Sequence, residues 1–274
     1  MIGALSLAFA LYALLLFSIG FYGYRQLRSS ADFMLGSRRI NYWVTAISAQ
    51  ASDMSSWLFF AFPAAIYTNG LVEGWAAVGL IIGCWATWHF VAPQLRIKTE
   101  KTNSNTLAHF LTATSGDQSG IVALIAASAA LFFFVFYIAS GLQGIGMLLH
   151  ATFGVSPTIA IVVSALAIMA YTMLGGYVAI ALTDAFQGIF LLVMILLVPL
   201  VVWLKLPLET VPSLSALPAL QATTVGHAIL IAINWGIGYC GMPHVLSKFM
   251  GLDEVKNMKK AQYIGLSWQI LALG

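Results

Sequence analysis

SAQASDMSSW, Ser48 to Trp57, is the stretch whose reading decides the rest. It carries one carboxylate, Asp53, among the small or hydroxylated residues Ala49, Ala51, Ser52, Ser55 and Ser56, with apolar sequence on both sides. A charged carboxylate at the centre of a membrane span costs about 2.5–3.5 kcal/mol on insertion, so an acid kept there is a functional candidate. Serine side chains compete for backbone hydrogen bonds and weaken a helix. A helix interrupted here would free carbonyl oxygens that lipid cannot satisfy and a cation can. The residues alone leave a second use of Asp53 open, in which its carboxylate satisfies freed N–H groups instead.

Composition identifies the solvent. Of 274 residues, 61% are hydrophobic and 8% are charged, against about 25% charged in a typical soluble domain. No formal charge lies between Asp117 and Asp184, room for two or three spans of roughly 20 residues. The reading is an all-α polytopic membrane protein forming one transmembrane domain over 1–274. Spans are expected near 4–23, 41–68, 74–94, 120–149, 157–174, 185–204 and 223–249, with a partial eighth from about Tyr263. The apolar start lacks a basic lead and a small-residue cleavage site, and reads as a span. Cys84 and Cys240 lie in apolar segments and suggest no disulfide. Eleven of the twelve basic residues, all but Lys205, fall in loops or loop edges that alternate onto one side. That side is the cytoplasm, which puts the N-terminus outside. The net charge of +3 is this bias and not a nucleic-acid footprint. GLDEVKNMKK (251–260) has early acids and late bases and suits either a short surface helix or a solvated loop. LPLETVPSLSALPAL (206–220) is expected as a partly structured loop.

A second weak point is NWGIGYCGMPH, Asn234 to His244, with glycines at 236, 238 and 241 and then Pro243. Glycine costs about 1 kcal/mol and proline about 3 kcal/mol in a helix interior. Taken alone it is either a tolerated kink or a true break. Its position decides: the two weak spans are five apart, so they cross the membrane in opposite senses. Paired interruptions of that kind mark an inverted repeat with a binding site at mid-membrane.

The sequence resembles the sodium/solute symporter family, and within it the bacterial sodium/proline transporters. The matching pieces are LGSRR (35–39), SAQASDMSSW (48–57), YTMLGGYVA (171–179), TDAFQ (183–187) and WGIGYCGMPH with VLSKFM (235–250). Ser56 stands where the proline transporters usually have glycine, Met242 where they have glutamine, and Tyr177 where the signature has Leu, Met or Phe. The resemblance implies a LeuT-type inverted-repeat fold, with a complete first repeat over 41–204 and a truncated second over 223–274. It implies Na+ as the co-transported ion, held by the backbone carbonyls of Ala51 and Met54, with Asp53 in coupling. Ser55, Trp57, Tyr137, Trp235, Tyr239 and Pro243 would line the solute pocket, and Arg38 and Asp184 would act in gating or coupling. The residues by themselves allow plainer roles. Trp235 and Tyr239, four apart, could pack together. Tyr137 could face lipid, Arg38 could be a positive-inside marker, and Asp184 could serve a helix N-terminus.

The function expected is sodium-coupled symport of a small solute, L-proline first, by alternating access in a bacterial inner membrane. The other readings are a symporter for another small organic solute, a transporter-like membrane sensor, or a transporter remnant. No organic cofactor, nucleic acid or enzymatic chemistry is indicated, since no nucleophile–base or metal-ligand spacing is present. The last apolar stretch, 263–274, is too short to cross. The expectation is therefore an incomplete or inactive form, or one needing a missing C-terminal half.

Overall fold

Apolar runs free of proline and glycine clusters become long helices in the computed structural model, which describes residues 2–205 and 225–274. The segment 206–220 lies outside these residues. In chain order the α-helices are α1 (Ile2–Gln26), α2 (Ser30–Leu35), α3 (Tyr42–Met54), α4 (Ala61–Asn69), α5 (Trp75–Ala86) and α6 (Ala92–Lys101). They continue as α7 (Leu107–Ser115), α8 (Ile121–Phe153), α9 (Pro157–Lys205), α10 (Val225–Cys240), α11 (Pro243–Gly251) and α12 (Met258–Leu273). Among the described residues, four helical stretches are long and apolar enough to cross a membrane: Gly3–Gln26, Leu71–Lys101, Ile121–Phe153 and Pro157–Lys205. The pair α10 and α11, bent by 45°, makes a fifth. Along the 33 residues of α8 only Gly146 is buried, as a lipid-facing helix requires.

Three expectations about elements are corrected. The 49 residues of α9 hold spans 157–174 and 185–204 as two helices that meet at a kink at Gly176 with no loop between them, so the second begins before TDAFQ and runs through it. At about 1.5 Å per residue the length of α9 is more than twice the roughly 30 Å hydrocarbon thickness, so the kink divides two crossings. Gly176 has φ 57° and ψ −154°, a backbone only glycine adopts freely, and a Cβ there would meet Phe33 at 2.9 Å. The stretch 251–260 is neither a separate surface helix nor a plain loop. Glu254 is extended, Val255–Asn257 form a single 3-10 turn, and α12 then begins at Met258, before Tyr263.

The chain gathers into two compact units. The first comprises Met1–Asn41, Arg96–Thr183 and Met250–Asp253. There α1 meets α9 through small residues: a Cβ on Gly23 would lie 2.7 Å from the Gly175 carbonyl oxygen, and one on Gly175 2.6 Å from that of Gly20. Membrane helices without a hydrophobic driving force between them associate through such close backbone contact.

The second unit comprises Tyr42–Leu95, Asp184–Phe249 and Glu254–Gly274. Its tightest seam is between α5 and α10. A Cβ on Gly79 would stand 2.1 Å from the Ala232 carbonyl oxygen, and one on Gly83 2.2 Å from that of Gly236. Gly188 of α9 sits against Ile47 and Ala51 of α3, and its carbonyl accepts the indole N–H of Trp268 from α12 at 2.9 Å. Gly83→Val is expected to force α5 and α10 apart and cost about 1–3 kcal/mol. Gly141→Ala, which meets nothing within 4 Å, is expected to be neutral or slightly stabilising. Tryptophan-fluorescence melting in detergent micelles measures both, and equal melting of the two variants would show that the seam is not tight.

Candidate functional site

The helix through the opening decapeptide does break. Met54 ends α3, Ser55–Leu58 tighten into a 3-10 turn, and α4 restarts at Ala61. Ser55 takes φ 42°, the left-handed region, where a non-glycine residue is uncommon and points to local constraint. Ala51 and Met54, both buried, lie in the last turn of α3, where carbonyls lose their regular helical partners. Asp53 is half-buried. Its Oδ2 is shielded from solvent and has no hydrogen-bond partner among the described residues.

The second break follows Cys240. Gly241 N donates to Gly238 O at 3.2 Å and Met242 N to Tyr239 O at 3.5 Å. Pro243 then starts α11, its missing N–H falling at a helix start where it costs nothing. The two interrupted helices meet. The ring of Trp57 lies 4.8 Å from that of Trp235 and 4.8 Å from that of Phe62. Trp235 is therefore engaged with the other break. Tyr239 is fully buried and faces Cys84 of α5.

Asp184 is not at a helix start. It lies deep within α9, accepts the Ser52 hydroxyl at 2.7 Å and pairs with Lys248 Nζ at 2.7 Å. Lys248 is 4% exposed. One carboxylate thus ties α9 to α3, just before the first break, and to α11, just after the second. His244 lies near the same pair. Lys248 and Ser52 were missed by sequence reasoning. Lys248 passed as a positive-inside residue, although its apolar neighbours in VLSKFM were the available signal.

Two residues assigned with these belong to the first unit. Tyr137 is on α8, 38% exposed, with its ring 6.5 Å from that of Phe134. Arg38 is more than a charge marker. Its guanidinium donates to Thr99 Oγ1 (3.1 Å), Thr99 O (2.8 Å), Ser104 O (2.9 Å) and Met250 O (3.1 Å). Arg96, also missed, is 3% exposed and donates to Leu252 O (2.7 Å) and Asp253 O (2.9 Å). Ile40 N donates to Gly251 O at 3.2 Å. Four successive carbonyls accept in this way, those of Met250 and Gly251 at the end of α11, which are among the orphaned acceptors of its C-terminus, and those of Leu252 and Asp253 just beyond it.

An all-helical membrane protein in which two interrupted helices lie side by side has the architecture of a secondary transporter. Residues 33–273 match the Sodium:solute symporter family, and the chain belongs to it. It is 37% identical over 261 residues to the high-affinity proline transporter PutP of Bacillus subtilis (strain 168), covering 93% of this chain and 55% of that one. It is 36% identical over 273 residues to the sodium/proline symporter of Escherichia coli (strain K12), covering 97% and 54%. The chain thus spans about half the length of these curated relatives. Among solved structures it is similar to a Na+-coupled sialic acid symporter in its substrate-bound, outward-open state, with a TM-score of 0.79 and 19% identity over 96% of this chain and 57% of that one. That likeness establishes the LeuT-type fold.

Asp184→Asn is expected to cost about 3 kcal/mol, because it removes the carboxylate facing a buried ammonium. Lys248→Met should cost less, since Asp184 keeps its Ser52 bond and is 19% exposed. The double variant should be more stable than Asp184→Asn alone. Thermal unfolding of the four proteins closes this cycle, and strict additivity would show that the pair does not interact. Arg96→Lys keeps the charge but cannot fork onto two carbonyls, and an expected loss of about 2 kcal/mol is read from the same melts.

Proposed function

We propose that the protein to which this sequence belongs carries a small solute across a bacterial plasma membrane together with Na+, and that the solute is L-proline. The observation that carries the reading is the meeting of two broken helices beside a carboxylate oxygen without a partner, Asp53 Oδ2. The family and the printed names of the proline-transporting relatives support the ion and the solute class.

In this reading Na+ is held by the carbonyls of Ala51 and Met54, at the end of α3, with Asp53 supplying charge nearby. Ser55, Trp57, Trp235 and Pro243 line the solute side, Tyr239 backs that wall, and Tyr137 contributes from α8. The half-helix beginning at Pro243 offers a positive dipole end to a carboxylate, and the faces of Trp57 and Trp235 can hold a ring or an ammonium. Arg38 and Asp184 act in gating and coupling. Residues 41–204 form the first repeat and 223–274 open the second, with the N-terminus outside. The energetics suffice. One charge moving down about 100 mV yields roughly 2.3 kcal/mol, and a tenfold sodium gradient adds about 1.4 kcal/mol. Together they support solute accumulation of several hundredfold at one ion per solute.

The test is equilibrium binding of labelled proline to the purified protein, titrated with NaCl against choline chloride. Proline affinity is expected to rise with sodium. Asp53→Asn should raise the sodium concentration needed at least about tenfold, the loss of one charge–ion interaction of roughly 1.4 kcal/mol. Proline binding indifferent to sodium overturns the coupling, and absence of proline binding under all salts overturns the solute.

A further inference from the structure

Behind the first break, within the second unit, polar side chains gather where a membrane protein should have none to spare. Gln50 lies one turn before Asp53 on α3, is fully buried, and donates through Nε2 to Cys84 Sγ at 3.4 Å. Trp88, in the π-helical turn Thr87–Val91, and Tyr239 of α10 are also fully buried and face the same sulfur and each other, none of these contacts having hydrogen-bond geometry. A single π-turn inside a helix often accompanies a functional site. From the fourth side α12 closes in, a Cβ on Gly265 meeting Gln50 Nε2 at 3.0 Å and the Trp88 ring at 3.4 Å. Gln269, one turn further along α12, is fully buried. Gln50 Oε1, Trp88 Nε1, the Tyr239 hydroxyl, both Gln269 amide atoms and Asp53 Oδ2 all lack a hydrogen-bond partner among the described residues.

Trp268, in the same unit and 3% exposed, donates its indole N–H to Gly188 O at 2.9 Å, so protein groups can satisfy a buried indole in this fold. Around Cys84 no described protein group does so for Trp88, and the chemistry of the atoms gathered there selects the occupant. A cation wants acceptors only, yet an indole N–H and amide NH2 groups are donors. An anion wants donors only, yet the Gln50 carbonyl and the Asp53 carboxylate are acceptors. Water both donates and accepts, and buried water characteristically bridges about three otherwise unpartnered polar groups. We propose that Gln50, Trp88 and Tyr239, around Cys84, form a buried hydration site holding ordered water behind Asp53. The water bonds α3, the π-turn that continues α5, and α10 to one another next to both breaks. Bonds through water are remade at little cost when helices shift, so the site holds the break together while allowing it to move. The inference stands whatever solute is carried.

Radiolytic hydroxyl-radical footprinting of the wild-type protein tests it, because radicals generated from bound water oxidise the side chains beside it. Trp88 is expected to be oxidised several-fold faster than Trp268, although Trp88 is the more buried of the two, so burial alone predicts the opposite order. Trp88 oxidised no faster than Trp268 overturns the proposal. Replacing NaCl by choline chloride is expected to leave the ratio unchanged. Protection of Trp88 by sodium would assign the site to a cation and overturn the proposal equally. Gln50→Leu, which removes one pole of the site, is expected to bring the Trp88 rate down towards that of Trp268, and an undiminished rate counts against the water being held there.

Discussion

The contact between Asp184 and Lys248, with Ser52 as its third member, is the interaction on which the pairing of the two broken helices depends. Each break leaves a short half-helix that cannot hold its place by length. The α11 half has nine residues, below the roughly 12–15 at which an isolated helix becomes stable in water. A buried ammonium on that half must find a carboxylate, and the carboxylate it finds is on α9, which also takes a hydroxyl from α3. Apolar packing alone would permit sliding along the helices. A charge pair with a hydrogen-bonded third partner permits far fewer positions, so the relation of one break to the other is specified by chemistry more than by shape.

The rest of the second unit supplies what the pair cannot. The seam between α5 and α10 brings backbones together at Gly79 and Gly83, where any side chain would collide with a carbonyl. The long part of the second broken helix is therefore rigidly backed, while the joint at Gly241 and Met242 is held only by backbone bonds, Gly241 N to Gly238 O at 3.2 Å, Met242 N to Tyr239 O at 3.5 Å, and Val245 N and Leu246 N to Met242 O at 3.1 and 3.0 Å. Among the described residues no close-packed seam backs the joint as Gly79 and Gly83 back α10. That division is what a transporter of the rocking or hinging kind needs, because a site built from the loose joint alone would have no fixed geometry.

Much of this was legible in the residues, and the failures have physical causes. Both breaks could be read because each has a local cause, serines with an acid in one case and glycines with proline in the other. The pairing could be read because span parity is a topological fact. The meeting of Trp57 with Trp235 followed from that pairing, whereas Tyr239 turned towards Cys84, since a one-turn offset on a helix does not say which neighbour is nearer. A helix-start role for Asp184 stayed open because the span boundary was drawn near Asp184, whereas the two helices of α9 meet at Gly176 with no intervening polar loop to mark the joint. Lys248 and Arg96 were counted as loop charges. Their partners, Asp184 on α9 and the carbonyls of Leu252 and Asp253, are distant in sequence, and a backbone carbonyl as acceptor leaves no trace in composition at all.

The two ends of α11 show how function follows from these contacts. At its start Pro243 brings no N–H, and the bonds across the joint are uncharged backbone ones, Gly241 N to Gly238 O, Met242 N to Tyr239 O, and Val245 N and Leu246 N to Met242 O. At its end Arg38, Ile40 and Arg96 occupy the carbonyls from Met250 through Asp253, and guanidinium donors to carbonyls are among the stronger hydrogen bonds in a protein. A displacement of this half-helix is therefore cheapest at the proline end, beside the aromatic pair, and dearest at the arginine end. In the proposed reading, solute or ion bound at the break would act on the compliant end of the segment. The capped end can follow only when several charge-assisted bonds part together, which makes an all-or-none response more natural here than a graded one.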